Sequence, residues 1–557
     1  MFFILLSVFK LKQKRYINVC NSFKFMKKLV LSVAIFLFAV EFISFAQGEK
    51  NTGFNKLLEA STKIKAFYVD TINNDKMMEN AITGILQNLD PHSVYIPKDE
   101  VLKMNEPLVG NFDGIGVQFQ MIDDSLFVEQ TIAGGPSEKV GVLPGDRIVR
   151  VNDSLIAGVK MSTMDIMKKL RGKKGTAVVI KVARRGVSEL IDFKIIRDKI
   201  PLYSIDASYM TTPNIGYIKL SKFSATSEKE FTEAFKKLKK QGMKSLILDL
   251  QSNGGGYLQT ATELADEFLG AGQLIVYTKG RTGQINYMAS NKGNYQQGKL
   301  ILLVDEYSAS ASEILSGAIQ DWDRGLVVGR RSYGKGLVQQ PVSLSDGSMI
   351  RLTTARYYTP SGRCIQRPYK DEGIDKYKNE VVERYNRGEL TSADTIHFPD
   401  SLRKATLVLK RPVYGGGGIM PDYFVPLDTT FNSKYLMKIV AKGVLNSFAS
   451  KYLEAHETQM KADYPSFEKF NAQFTVTDAI LKELITAGES EKIPFDEAQY
   501  TKSKHFIAVQ LKALFARRLW DMNEFYQIIN AENDACQKAV EILTKPGMYE
   551  SVLVKKK

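Results

Sequence analysis

The chain has 557 residues, 44% hydrophobic and 25% charged, which excludes a disordered or low-complexity protein and predicts three or four domains rather than one core. Its formal charge of +15 comes partly from residues 1–46, which carry seven basic residues against one acidic; the remainder holds 69 basic and 60 acidic residues, or +9. That modest excess, with no basic-aromatic motif beside it, excludes nucleic acid as the expected partner.

The first element in chain order is a leader. Met26-Lys27-Lys28 is a positive start, residues 29–40 are apolar, and Ser44-Phe45-Ala46 has the small-x-small form of a cleavage site. Export to a bacterial periplasm with cleavage after Ala46 is the expectation. The competing reading keeps the segment as an inner-membrane anchor, but Glu41 cuts the apolar run short of a span. Of three cysteines, Cys20 falls in the leader, and Cys364 and Cys536 stand far apart with no pairing signal. No CxxC, HExxH or acidic calcium loop is present, so no metal and no cofactor are expected.

Residues 47–107 place apolar residues at helical spacing (Leu57, Leu58, Ile64; then Met77, Met78, Ala81, Ile82, Ile85) and predict a small helical domain. Leu89-Asp90-Pro91-His92-Ser93-Val94-Tyr95 follows, with His92 read as structural. Over residues 108–198, Gly114-Ile115-Gly116-Val117 and Val140-Gly141-Val142-Leu143-Pro144-Gly145-Asp146 resemble the carboxylate-binding loop and hallmark turn of a PDZ domain. Glycine-permitted N–H groups can cradle a terminal carboxylate, while an exposed strand edge pairs with the peptide. Met164, Met167 and Leu170 recur at helical spacing, either facing that groove or filling the core.

Residues 199–430 alternate buried-strand patterns (215–220, 245–250, 299–304) with helical ones, an α/β arrangement. Ser308-Ala309-Ser310-Ala311-Ser312-Glu313 reads as a helix start, and Gly334-Lys335-Gly336 follows 25 residues past Ser310. None of the four histidines lies between Asp249 and Arg356, so lysine is the economical base for a serine nucleophile. A lysine must be buried to lose its charge near neutrality, and flanking glycines allow close backbone approach. Residues 366–412, charged and tyrosine-rich, read as an insertion, either solvated or a lid near the site. Residues 431–557 are helical by pattern and are expected to pack or to self-associate.

Five segments together resemble the C-terminal processing (tail-specific) peptidases. They are the 89–95 signature, the strand and glycine turn of Leu246-Ile247-Leu248-Asp249-Leu250-Gln251-Ser252-Asn253-Gly254-Gly255-Gly256, the Ser310 segment, the lysine segment Val328-Gly329-Arg330-Arg331-Ser332-Tyr333-Gly334-Lys335-Gly336-Leu337-Val338-Gln339-Gln340, and Gly416-Gly417-Gly418-Ile419-Met420-Pro421-Asp422. Gln251-Ser252 and Gly254 stand where many members have Arg-Asn and Pro. The resemblance implies a multidomain α/β protein: a ClpP/crotonase-like peptidase core with an inserted PDZ domain and helical N- and C-terminal regions. It implies Ser310 as nucleophile, Lys335 as base, Gln339 holding the lysine and Asp321 as a third relay member. Ala311 and either Gly255 or Gly256 would supply the oxyanion hole. Gly114, Ile115, Gly116, Val117, Met164 and Met167 would contact the peptide tail. The expected activity is a serine endopeptidase that takes unfolded proteins by their C-terminal tails and cuts near small or apolar residues. The alternative is a catalytically silent tail-binding adaptor or chaperone of the same fold.

Overall fold

The computed structural model describes residues 52–370 and 373–553. The leader expectation, with its cleavage site and anchor alternative, falls outside the described residues. The chain divides into two compact units at Ile82/Thr83. The first ends in helices: α1 (Thr52–Phe67), which leaves Phe54, Leu57, Leu58 and Ile64 exposed, and the start of α2 (Asn74–Gln87). No described helix is long and apolar enough to cross a membrane.

The second unit opens with β1 (Val94–Ile96) and α3 (Lys98–Val109), which stops at Gly110 in a left-handed conformation. A small sheet domain follows. It enters through β2 (Asn111–Gly114) and then builds β3 (Val117–Ile122), β4 (Ser125–Thr131), β5 (Arg147–Val151), β6 (Ser154–Leu155), β7 (Ala177–Ala183) and β8 (Ile191–Ile196). The main order is β3-β4-β5-β7-β8, all antiparallel, so β3 is a free edge. The helices α4 (Pro136–Lys139) and α5 (Thr163–Leu170) complete it. The chain leaves through β9 (Asp198–Pro201), which pairs antiparallel with β2, so the domain hangs on a two-strand stalk.

The core sheet then forms. Its strands are β10 (Ile205–Thr212), β11 (Ile215–Leu220), β12 (Ser245–Asp249), and, beyond the outlying hairpin β13 (Leu274–Gly280) and β14 (Gly283–Met288), β15 (Lys299–Val304) and β16 (Leu326–Gly329). All pairings from β11 to β16 are parallel. Parallel strands are buried on both faces, which is why β11, β15 and β16 read as continuous apolar runs. One face carries α6 (Ser227–Lys240), α7 (Leu258–Asp266) and α8 (Ala311–Asp321), through Phe231, Leu264 and Leu315. A second sheet holds β17 (Leu337–Ser343) paired with β18 (Met349–Tyr358), and β1 pairs with β18 as well.

The described part of the 366–412 segment is structured rather than a free loop. Its helix α9 (Ile374–Asn386) buries Arg384, whose guanidinium donates to the carbonyls of Arg331 and Ser332. The hairpin β19 (Arg403–Ala405) and β20 (Pro412–Tyr414) follows, then β21 (Tyr423–Phe424), which joins β16 at the edge of the core sheet.

The last region makes two separate contributions. Helices α10 (Lys434–Ala441), α11 (Val444–Asp463), α12 (Phe467–Gln473), α13 (Asp478–Ser490), α14 (Glu497–Leu519) and α15 (Met522–Asn530) bury a core of their own around Phe470, Leu484, Leu511 and Phe515. The helices α16 (Asp534–Thr544) and α17 (Met548–Val552) instead cover the second face of the core sheet. Ala535, Cys536, Ala539 and Ile542 pack on Tyr217, Ile247, Ile301 and Val328. Residues 431–557 are therefore not one self-contained domain, because their final helices complete the α/β core. Cys364 and Cys536 are both free thiols.

Candidate active site

Ser310 caps the N-terminus of α8 with φ 57° and ψ −110°, a left-handed conformation that a non-glycine residue adopts only under constraint. The constraint is visible. Its N–H donates to Glu313 Oε2 at 2.8 Å, and its carbonyl accepts from the Tyr357 hydroxyl at 3.0 Å. The turn before it is laced to the glycine turn: Ala309 N–H donates to the Asn253 carbonyl, Ser308 Oγ to the Leu250 carbonyl, and Ser252 N–H to Asp305. A strained residue at the start of a helix points its hydroxyl outward beside unsatisfied N–H groups.

The glycine turn lies directly against Ser310. A Cβ on Gly255 would sit 2.8 Å from Ser310 Cβ and 2.9 Å from Ala311 N, and one on Gly256 would sit 2.0 Å from the Phe223 carbonyl oxygen. Both positions also have positive φ, so glycine is required at each. The two differ in one respect. Gly255 N–H donates to Asn253 Oδ1 at 2.9 Å. Gly256 N–H and Ala311 N–H have no partner among the described residues. The two N–H groups left unpaired at this turn are therefore those of Ala311 and Gly256.

Lys335 faces the same cleft, a space of about 490 Å³ also lined by Gln339, Tyr357 and apolar side chains of Leu258, Leu337 and Met349. Burial pushes the lysine pKa down; Arg351 pushes the same way, against Glu313 and Asp90. Its ammonium nitrogen makes no hydrogen bond among the described residues. Its backbone N–H donates to Glu313, and its carbonyl shares the single Tyr357 hydroxyl proton with the Ser310 carbonyl.

Glu313 and Tyr357 were not anticipated from sequence, where Glu313 read only as part of a helix start. Glu313 is fully buried and accepts four hydrogen bonds, from Ser310 N, Ser332 Oγ, Gly334 N and Lys335 N. Burial raises its pKa, and these four donors pull it back. One carboxylate thus clamps the Ser310 turn to the Lys335 turn. The only sequence signal was its place three residues after Ser310. The Gly416–Gly418 run packs behind the lysine turn, where a Cβ on Gly418 would lie 2.6 Å from the Ser332 carbonyl oxygen.

Two expectations need correction. Asp321 is not near the pair: it ends α8, 11 residues and about 16 Å from Ser310, in a fully buried ion pair with Arg363 at 2.5 Å. Of the two readings left open for Leu170 the core one holds, since it is buried with Ile166 in the small sheet domain. Ile115 is also buried at its side chain, and its carbonyl accepts from Ser137 N and Oγ, leaving only its backbone N–H as a contact. Met164 is exposed and Met167 half-buried, while Gly114 belongs to the stalk strand β2 and Gly116–Val117 lead into the free edge β3. Gln339 lines the cleft, but its amide nitrogen donates to Thr353 Oγ1 at 3.2 Å. His92 bonds the Tyr377 hydroxyl at 2.8 Å, and burial pushes its pKa down to about 4.

Models of known families match four stretches: peptidase family S41 over residues 214–376, a PDZ domain over 114–195, the N-terminal domain of the activating protease CtpB over 40–100, and a family of unknown function over 435–521. Among curated relatives, the carboxy-terminal processing protease CtpA of Bacillus subtilis is 35% identical over 315 residues, 56% of this chain and 67% of that protein. CtpB of the same organism is 34% identical over 325 residues, 58% of this chain and 67% of that protein. The carboxy-terminal-processing protease of Bartonella bacilliformis is 36% identical over 310 residues, 55% of this chain and 70% of that protein.

Proposed function

The chain belongs to the carboxy-terminal processing proteases of peptidase family S41, serine-type endopeptidases with a PDZ domain, and from that membership we propose a Ser310–Lys335 dyad fed by protein tails. The observation that carries the dyad is one cleft lined by Ser310, a buried Lys335 and Gly256, with the N–H groups of Gly256 and of Ala311, next to Ser310, unpaired among the described residues. Neutral Lys335 takes the proton of Ser310 Oγ as the oxygen attacks a peptide carbonyl. The oxyanion is held by Ala311 and Gly256, and the lysine ammonium then protonates the leaving amine. Water, deprotonated by Lys335, attacks the acyl-enzyme and frees Ser310.

The tail would add to the free edge β3, with its carboxylate on the N–H groups around Gly116. Holding a tail there raises the concentration of the adjoining chain at the cleft. Apolar walls from Leu258, Leu337 and Met349 support cleavage beside small or apolar residues. The leader at residues 26–46 supports export, so the substrates would be periplasmic. The silent adaptor is not favoured, because both dyad residues and the oxyanion donors are present.

The test is cleavage of an unfolded protein ending in an apolar tail by the whole chain, Ser310→Ala and Lys335→Ala. Loss in both variants with tail binding kept supports the dyad; equal cleavage by all three overturns it. Equal cleavage of tailed and untailed substrates would remove the PDZ step alone.

A further inference from the structure

Gln339 is joined to the 89–95 signature by a short chain of hydrogen bonds whose direction is fixed. Asp90 is 7% exposed, and its carboxylate meets only donors: the N–H groups of His92 (2.8 Å) and Ser93 (2.9 Å), the Ser93 hydroxyl (2.6 Å) and the Thr353 hydroxyl (3.0 Å). Ser93 Oγ also accepts from Thr353 N–H at 3.0 Å, which leaves its own proton for Asp90. Thr353 lies opposite Gln339 in the β17–β18 ladder, just after a bulge between Val338 and Gln339 that re-aims the strand. Thr353 has one hydroxyl proton, and Asp90 takes it. Its oxygen can then only accept, and it accepts from Gln339 Nε2.

We propose that Asp90 and Thr353 are positioning residues that fix the polarity of the Gln339 amide, so that its carbonyl oxygen, not its NH₂ group, is turned to the cleft it shares with Lys335. An unanchored amide can sit either way round. With the oxygen toward the lysine, a lysine N–H that is unpaired among the described residues can donate to Gln339 while the amine lone pair stays free for Ser310. With the amide reversed, its NH₂ would donate into that lone pair and silence the base. This assignment rests on the Ser310–Lys335 reading. It also gives the N-terminal signature a task in the chemistry. The other charged or titratable groups around Lys335 are Arg351 and Tyr357 on β18, Glu313 on α8, and His92 beside Asp90.

The test uses the whole chain on an unfolded reporter protein with an apolar tail, with kcat, KM and the pH profile read for each variant. Thr353→Val, which removes only the hydroxyl, is expected to lower kcat about tenfold or more with KM unchanged. It is also expected to move the acid limb of kcat/KM to lower pH, because the ammonium form loses its acceptor. Thr353→Ser should behave as the parent, and Thr353→Val should cost nothing further in a Gln339→Ala background. Asp90 also holds its own turn, so Asp90→Asn is read only if its circular dichroism and melting match the parent; it should then match Thr353→Val. A Thr353→Val enzyme with the parent kcat and pH profile, or equal further loss on Gln339→Ala, overturns the assignment. Ser310→Ala and Lys335→Ala run alongside: activity in either sinks the dyad, whereas silence in both with an unaltered Thr353→Val sinks the positioning role alone.

Discussion

At the scale of single residues the site trades stability for chemistry. Lys335 has a pKa below its ordinary value, so the unfolded chain binds a proton that the folded chain resists. Stability from this group is lowest below the folded pKa and is recovered as pH rises toward the unfolded one. Each unit of depression costs about 1.4 kcal/mol at neutral pH. Lys335→Met should therefore abolish cleavage yet melt no lower than the parent at pH 7, as calorimetry would show. His92 has the same sign at a different pH. Its folded pKa of about 4 lies under its usual 6.5, so its contribution is complete above pH 6.5 and is lost as pH falls toward 4. His92→Gln should flatten the fall of denaturation midpoint across that window. Glu313→Gln would set an NH₂ against N–H donors in a closed site, costing about 1–3 kcal/mol in urea unfolding and slowing cleavage. The sequence made the spacing of Ser310 and Lys335 legible because the chain itself carries both. Glu313 and Tyr357 were hidden because their roles depend on which loops meet, and a local pattern holds no record of that.

At the scale of elements, the glycine turn after β12 and the start of α8 act as one piece. Asn253 stitches them, accepting Ala309 N–H and Ser312 Oγ at its carbonyl while its side chain holds Leu220 O and Gly255 N. Gly255→Ala should place a methyl on the oxyanion donors and lower kcat by roughly 10²–10³-fold, with tail affinity unchanged. Steady-state kinetics beside a tail-peptide titration would check it. Gly256→Ala should go further and lose the folded turn, because its Cβ would lie 2.0 Å from the Phe223 carbonyl oxygen, a closer backbone clash than any at Gly255. The sequence left Gly255 and Gly256 as alternatives, since adjacent glycines look alike until one N–H is seen to be occupied. It also read Asp321 as a relay member. Helix α8 shows why that reading fails: the acid sits at the other end, holding Arg363 and the Ser361 N–H.

Across the whole molecule, the C-terminal helices connect what the sequence kept apart. Helices α11 and α14 lie against the small sheet domain through Arg147–Glu454 (3.1 Å), Lys451–Asp123 (2.9 Å) and Arg517–Glu129 (3.6 Å), and Arg518 stacks over Phe127. The PDZ domain is therefore held at its stalk and again at its sheet. Each exposed pair is worth little alone, on the order of 1 kcal/mol or less. Glu454→Arg should nonetheless make the domain more open to limited proteolysis, and Arg147→Glu in the same chain should reverse this. Amphipathic helices were legible at 431–557, but their apolar stripes do not say against what they pack. Packing partners so distant in sequence are invisible to periodicity.

The cover that α16 and α17 lay over the core sheet has a consequence for how the protein is made. The strands β11, β12, β15 and β16 leave the ribosome long before the helices that cap them. Until those helices arrive, one side of a parallel sheet, with Ile247, Ile301 and Val328 on it, has nothing to bury it. Contacts this far apart form slowly, and the waiting surface is sticky. The sheet that carries Ser310 at its helix start is closed only once residues 534–552 are made, so the proposed dyad is expected to form only on a chain that includes them.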